Sequence, residues 1–131
     1  MKKDIDIPVV KDVYVAIIHE WDDQMLHKVW NAYLINNKDS AIEMAIIVSS
    51  GSNSTDKTAT IRHGLGTMEA KSFKKFEPLQ EEIFTLDNVF SLSFFSDNKL
   101  FDKKFLFKKN TIQTKALTTI SLIDKEGILA E

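Results

Sequence analysis

The side chains with most chemical capacity in this sequence are three histidines, His19, His27 and His63, and its only arginine, Arg62. No two histidines stand at a His-x-His, His-x3-His or His-Glu-x-x-His spacing, so no metal site is expected. If the segment Val13–Trp21 pairs near Thr58–His63, then His19 and His63 would meet beside Glu20 or Asp22. Otherwise they are strand-end or loop histidines. Arg62 opens the run Ile61-Arg62-His63-Gly64-Leu65-Gly66-Thr67. A guanidinium offers a planar fork to carboxylate or phosphate. Gly64 and Gly66 allow close backbone approach, and Thr67 adds a hydroxyl, so Arg62, His63, Gly64, Gly66 and Thr67, with His19, form a candidate cradle for a small anion or ligand. The run lacks both the dinucleotide glycine frame and a P-loop ending. Its alternative reading is a tight turn built on the glycines, with Arg62 in a surface ion pair.

Catalytic arrangements are absent from the text of the chain. There is no Gly-x-Ser-x-Gly elbow, and the serines of Ser49–Ser54 read as a polar loop between strands. Asp22-Asp23 and Glu81-Glu82 are neighbours whose side chains would diverge on an extended chain. Lysine and phenylalanine interleave in Lys71–Phe76 and Lys103–Lys109, as in grooves that hold single-stranded nucleic acid. An edge strand with phenylalanine inward and lysine outward has the same text. The single arginine and pI of about 5.9 disfavour nucleic acid as partner.

The elements that must position these groups show a period of two. Val13–Ile18 is apolar on both parities, as in a strand covered on both sides. Trp30, Ala32 and Leu34 alternate with Asn31 and Tyr33; Ile42, Met44, Ile46 and Val48 form a further stripe; Thr58–His63 and Phe90–Phe95 alternate likewise. Ser96-Asp97-Asn98-Lys99 predicts a hairpin into Leu100–Lys108. Asp22–His27 predicts a longer loop, with Asp22 or Asp23 able to cap one helical turn. Glu77–Glu82 predicts a short helical turn led by Pro78. Thr111–Glu131 is open between strand and helix. Together these predict one domain over residues 1–131, all-β, an antiparallel β-sandwich of immunoglobulin-like form, with a small closed β-barrel as the alternative.

Composition bounds the function. The 131 residues include no cysteine, which removes disulfide scaffolds, zinc ribbons and thiol nucleophiles. Hydrophobic content of 44% and a net charge of −2 describe a folded domain rather than a polyanion-binding tail. Asp4 and Asp6 interrupt any signal-peptide core after Lys2 and Lys3, and no apolar run is long enough to span a bilayer. A cytoplasmic protein with no membrane association and no cofactor is expected.

The stretches Ile5–Val15, Trp30–Asn36 with Ile42–Ser50, Thr58–Ser72 and Gly127–Glu131 resemble a group of small uncharacterised all-β proteins, some labelled phenylalanyl-tRNA synthetase α subunit. The residues do not support that label. A class II synthetase core is much longer and needs ATP-gripping arginines, and this chain has one arginine. The resemblance implies a cytoplasmic protein of unknown role and transfers no residue roles. The expected function is a non-catalytic interaction or self-association module with a protein partner or a second copy. Tyr14, Ile18, Ile47 and Phe95 are its candidate interface residues.

Overall fold

Side chains that alternate along an extended chain are sent to opposite faces, and nine strands follow from that alternation. The computed structural model describes residues 9–130; the signal-peptide reading of Lys2–Asp6 lies outside them. The strands are β1 (Val13–Trp21), β2 (Lys28–Asn36), β3 (Ile42–Ser52), β4 (Ile61–Met68), β5 (Ser72–Leu79), β6 (Asp87–Ser96), β7 (Lys99–Phe107), β8 (Thr118–Ile120) and β9 (Lys125–Leu129). They form two antiparallel sheets, the first in the order β5-β2-β1-β9-β8 and the second β4-β3-β6-β7. The chain repeatedly switches sheets, and the sheets keep separate edges. This is the expected antiparallel β-sandwich, and the closed-barrel alternative is set aside.

The inner faces meet in one core. Val13, Val15 and Ile17 of β1, Leu34 of β2, Ile42 and Ile47 of β3, and Phe90, Leu92 and Phe94 of β6 are all buried there. Each such side chain contributes about 1.5–3 kcal/mol by leaving water. Phe76, Phe90 and Phe107 run edge-to-face through it at 5.8 and 5.7 Å. Val13–Ile18 is apolar on both parities because β1 is covered twice. Ala16 and Ile18 face the other way, joining Tyr33 and Ile35 under Ile120 and Ile123, which the C-terminal hairpin lays across the outside of the first sheet.

Several boundaries differ from expectation. β3 continues through Ser49–Ser52, because Phe90–Asp87 of β6 pairs with it there; the polar loop begins later. The presumed loop around Gly64 is strand, β4, paired with Ser49 to Ile42 of β3. Glu77, Pro78 and Leu79 belong to β5 rather than to a helical turn, and a 3-10 helix follows at Glu81–Thr85. Asp22 caps a turn, its Oδ1 accepting the Leu26 N–H at 2.8 Å, without a helix. The C-terminal segment resolves as strands β8 and β9 after a short 3-10 turn at Thr114–Ala116. The Ser96–Lys99 hairpin is as predicted, with Asp97 and Asn98 both at positive φ, 52° and 61°.

Gly127 shows how closely β9 seats on β1. A Cβ there would lie 2.5 Å from Ile18 Cδ1 and 2.7 Å from the Ile17 carbonyl oxygen. Gly127→Ala is therefore expected to cost about 1–3 kcal/mol in urea unfolding. Gly64→Ala, with nothing within 4 Å of the added carbon, should stay within about 0.5 kcal/mol.

Candidate functional site

A bulge in β3 at Met44, φ 51°, sends Ala45 and Ile47 into the core after Ile42 instead of the expected Met44, Ile46 and Val48. Two more bulges shape the side of the sandwich where β4 and β5 lie. In the β2–β5 ladder, Ala32 faces Glu77 and Tyr33 faces Lys75, leaving Phe76 as the extra residue. Consecutive residues Phe76 and Glu77 thus both turn inward. In the β3–β4 ladder, Ala45 faces Gly66 and Ile46 faces Gly64, so Leu65 is extra, and Gly66 adopts φ +68°.

The inward turn of Glu77 brings a carboxylate into the interior, where it requires partners. They come from the opposite sheet. Ser49 of β3 donates its hydroxyl proton to Glu77 Oε1 at 2.6 Å, and His63 Nε2 of β4 lies 2.7 Å from the same oxygen. Phe76 sets its ring against His63 at 5.3 Å. Ser49 and Glu77 are buried and His63 half-buried. This Ser49–Glu77–His63 tie joins the sheets. Its connectivity is not that of a hydrolase, because the acid stands between serine and histidine. The serine proton is already committed to a carboxylate, and no imidazole is placed to take it. Beside Glu77 opens a cleft of about 130 Å³, walled by Ser49, Gly51, Ile61, Ile83, Asn88 and Phe90 among others.

A second polar cluster sits on the outside of the first sheet. Glu20 of β1 accepts from Asn31 Nδ2 at 2.7 Å, Tyr33 Oη at 2.7 Å and Lys125 Nζ at 2.6 Å. Burial works to raise its pKa, but the hydrogen bonds from Lys125, Asn31 and Tyr33 outweigh it and hold the carboxyl below its ordinary value. Burial, and then the bond to Glu20, push the Tyr33 phenol well above its ordinary value.

The expected cradle does not assemble. Arg62 and His63 are successive strand residues and point to opposite faces, Arg62 outward and His63 inward. Arg62, Gly64, Gly66 and Thr67 are exposed along β4, and among the described residues Arg62 makes no ion pair. His19 belongs to the other sheet, stacked on Trp30 at 4.2 Å and bordering a different cleft. Its pKa is lowered by burial and by Lys28. His27 lies in the β1–β2 turn, 3.3 Å from Asp22. So His19 and His63 do not converge. Among the described residues no group of three or more potential ligands could hold a metal, and no helix is long and apolar enough to cross a membrane.

The candidate interface residues also separate. Ile18 and Ile47 are 0% exposed, so neither can belong to a surface patch. Tyr14 and Phe95 are partly exposed, but on the outer faces of different sheets. Of the rings interleaved with lysine, Phe105 and Phe107 are buried, while Phe73 is exposed. Lys103 shares the inward parity of Phe105 but is itself exposed, its ammonium 5.0 Å from that ring centre.

Reading from the residues missed Ser49 and Glu77. The serine-rich text hid Ser49, although it shares the inward parity of Ile47. The bulge at Phe76 reversed the parity of Glu77. No protein-family profile matches the chain, and neither a curated protein nor a solved structure matches it.

Within the Glu20 cluster the folded state keeps that carboxylate ionised to lower pH than the unfolded chain does. The stability it adds is complete above the ordinary glutamate range and lost as pH falls through the lowered folded value. Glu20→Gln is expected to lose about 1–3 kcal/mol at neutral pH and to show a shallower decline on acidification. Urea unfolding across a pH series measures both.

Proposed function

We propose that this chain is a non-catalytic interaction module that pairs with a second copy of itself through the outer face of its second sheet. The observation carrying this reading is the unequal treatment of the two outer faces. The first sheet has its outside roofed by Ile120, Leu122 and Ile123. Across the second sheet run two rows, Arg62–Val48–Ser91–Lys104 and Gly64–Ile46–Ser93–Asp102. Ile46 and Val48 are half-buried at their centre, and Phe95 and Leu100 are exposed at one end.

The anatomy suits a self-complementary interface: small and aliphatic residues in the middle, charges of both signs at the rim. A two-fold arrangement can set Asp102 of one copy against Arg62 or Lys104 of the other. Four strands of about eight residues make a plate of roughly 19 by 27 Å. Side-chain relief brings its accessible area towards the about 800 Å² per partner of a stable interface. The edges add to the argument. β5 carries Lys74, Lys75 and Pro78, β7 carries Lys103 on its inward parity, and β8 is three residues long, whereas β4 has neither lysine nor proline. The cytoplasm remains the proposed location, and a lack of catalysis fits the connectivity of the Ser49–Glu77–His63 tie.

Sedimentation velocity at micromolar concentration is expected to find a dimer. Val48→Lys should weaken it at least tenfold, about 1.4 kcal/mol, while the thermal midpoint changes little. A wild-type chain that stays monomeric at every accessible concentration overturns the reading, as does a dimer indifferent to Val48→Lys.

A further inference from the structure

We infer that the cleft beside Glu77 is a binding site for a small primary ammonium group. The argument is one of hydrogen-bond accounting, since a site is complementary to whatever its unspent groups can satisfy. Three side-chain donors around the cleft are spent, and the remaining one, the Ser50 hydroxyl, lies on the outward parity of β3. The Ser49 hydroxyl gives its proton to Glu77 Oε1. The Asn88 amide nitrogen gives both of its protons, to the Ile83 and Leu86 carbonyl oxygens at 2.9 and 3.0 Å. The Thr58 hydroxyl donates to the Ala59 carbonyl oxygen at 3.1 Å, while its oxygen accepts the Gly51 N–H at 2.7 Å.

Two acceptors are left over. Glu77 Oε2 and Asn88 Oδ1 receive no hydrogen bond from the described residues, whose bonds to Glu77 all go to Oε1. The orientation of Asn88 is settled by its two carbonyl neighbours, which only an NH₂ can serve. Both residues are buried, Asn88 4% and Glu77 9% exposed. Neither acceptor is sealed away, for Ser96 Oγ is the one side-chain polar atom among the described residues both fully buried and unpartnered. Gly51 keeps the wall open, since a Cβ there would come within 3.0 Å of Asn88 Oδ1.

A charged acceptor and a neutral acceptor beside spent Ser49, Asn88 and Thr58 donors favour a ligand that donates. A primary ammonium has three protons to give and a charge to match Glu77. Among the described residues the cationic partner of this carboxylate is His63 when its imidazole is protonated, so beside a neutral imidazole a bound cation would offset the cost of its burial. Ile61, Ile83 and Phe90 supply an apolar wall for a short alkyl stem. A cleft of about 130 Å³ is near the volume that admits a benzene-sized molecule. It therefore has room for an alkylammonium of a few carbons or the tip of a lysine side chain.

Amide chemical shifts of the labelled full chain, titrated with n-propylammonium chloride against potassium chloride at equal ionic strength, test the site. Saturable shifts at Ser49, Gly51 and Asn88 are expected with propylammonium and not with potassium or with neutral n-propanol. N-acetyl-lysine methylamide forms a second arm: saturation of the same resonances assigns the site to lysine side chains, and failure there with propylammonium binding intact assigns it to free amines. Glu77→Gln should weaken binding at least tenfold. Gly51→Ala, which crowds Asn88 Oδ1 and leaves the carboxylate in place, guards against misfolding of the first variant and should also weaken it. An equal response to potassium or propanol, or undiminished binding by both variants, overturns the inference.

Discussion

The contact between the two inner faces governs everything else in this molecule. Burial of Phe90, Phe94, Ile17, Leu34 and Ile47 is the dominant favourable free energy available, and it requires each strand to present one parity inward. Wherever the parity holds, a side chain has no choice of face. Arg62 cannot join His63 on such a strand, and Ile18 cannot join Phe95.

Chemistry enters where the parity is reset. The extra residue at Phe76 lets Phe76 fill the core and Glu77 enter beside it. A carboxylate admitted this way needs hydrogen bonds, and the nearest belong to the facing sheet. The result is a polar tie at the β4–β5 side of a mostly apolar interior, with a small opening next to it. The outer faces show the same economy of cause. Covering the first sheet with the C-terminal hairpin creates a second small core around Ile18 and Ile35. Among the described residues the outer face of the second sheet has no such roof.

Much of the fold was legible in the residues because period-two alternation is a direct imprint of burial. β1, β2, β6 and β7 could be read almost to their ends, and Asp97-Asn98 announced its hairpin through residues that tolerate positive φ. What could not be read was set by partners distant in sequence. Gly64 and Gly66 looked like a loop because glycine is rare in strands, yet pairing with Ile46 and Ala45 holds them in one. Pro78 suggested the start of a helix, whereas it sits on an edge strand where its missing N–H is harmless. Ser49 was lost among serines because its only mark is parity with Ile47. The expected anion cradle failed for the same reason: spacing along the chain says nothing of which face a bulge will choose.

The roof over the first sheet has a temporal side as well. Ile120, Ile123 and Gly127 come about a hundred residues after β1, so during synthesis Ala16, Ile18 and Ile35 emerge long before the segment that shelters them. Until that hairpin leaves the ribosome, the nascent sandwich carries a bare greasy flank and an unpaired β1 edge, the features that invite chaperones or neighbouring chains. Shelter of this flank therefore waits on synthesis of β8 and β9, and a chain truncated before Lys125 would be left with it uncovered.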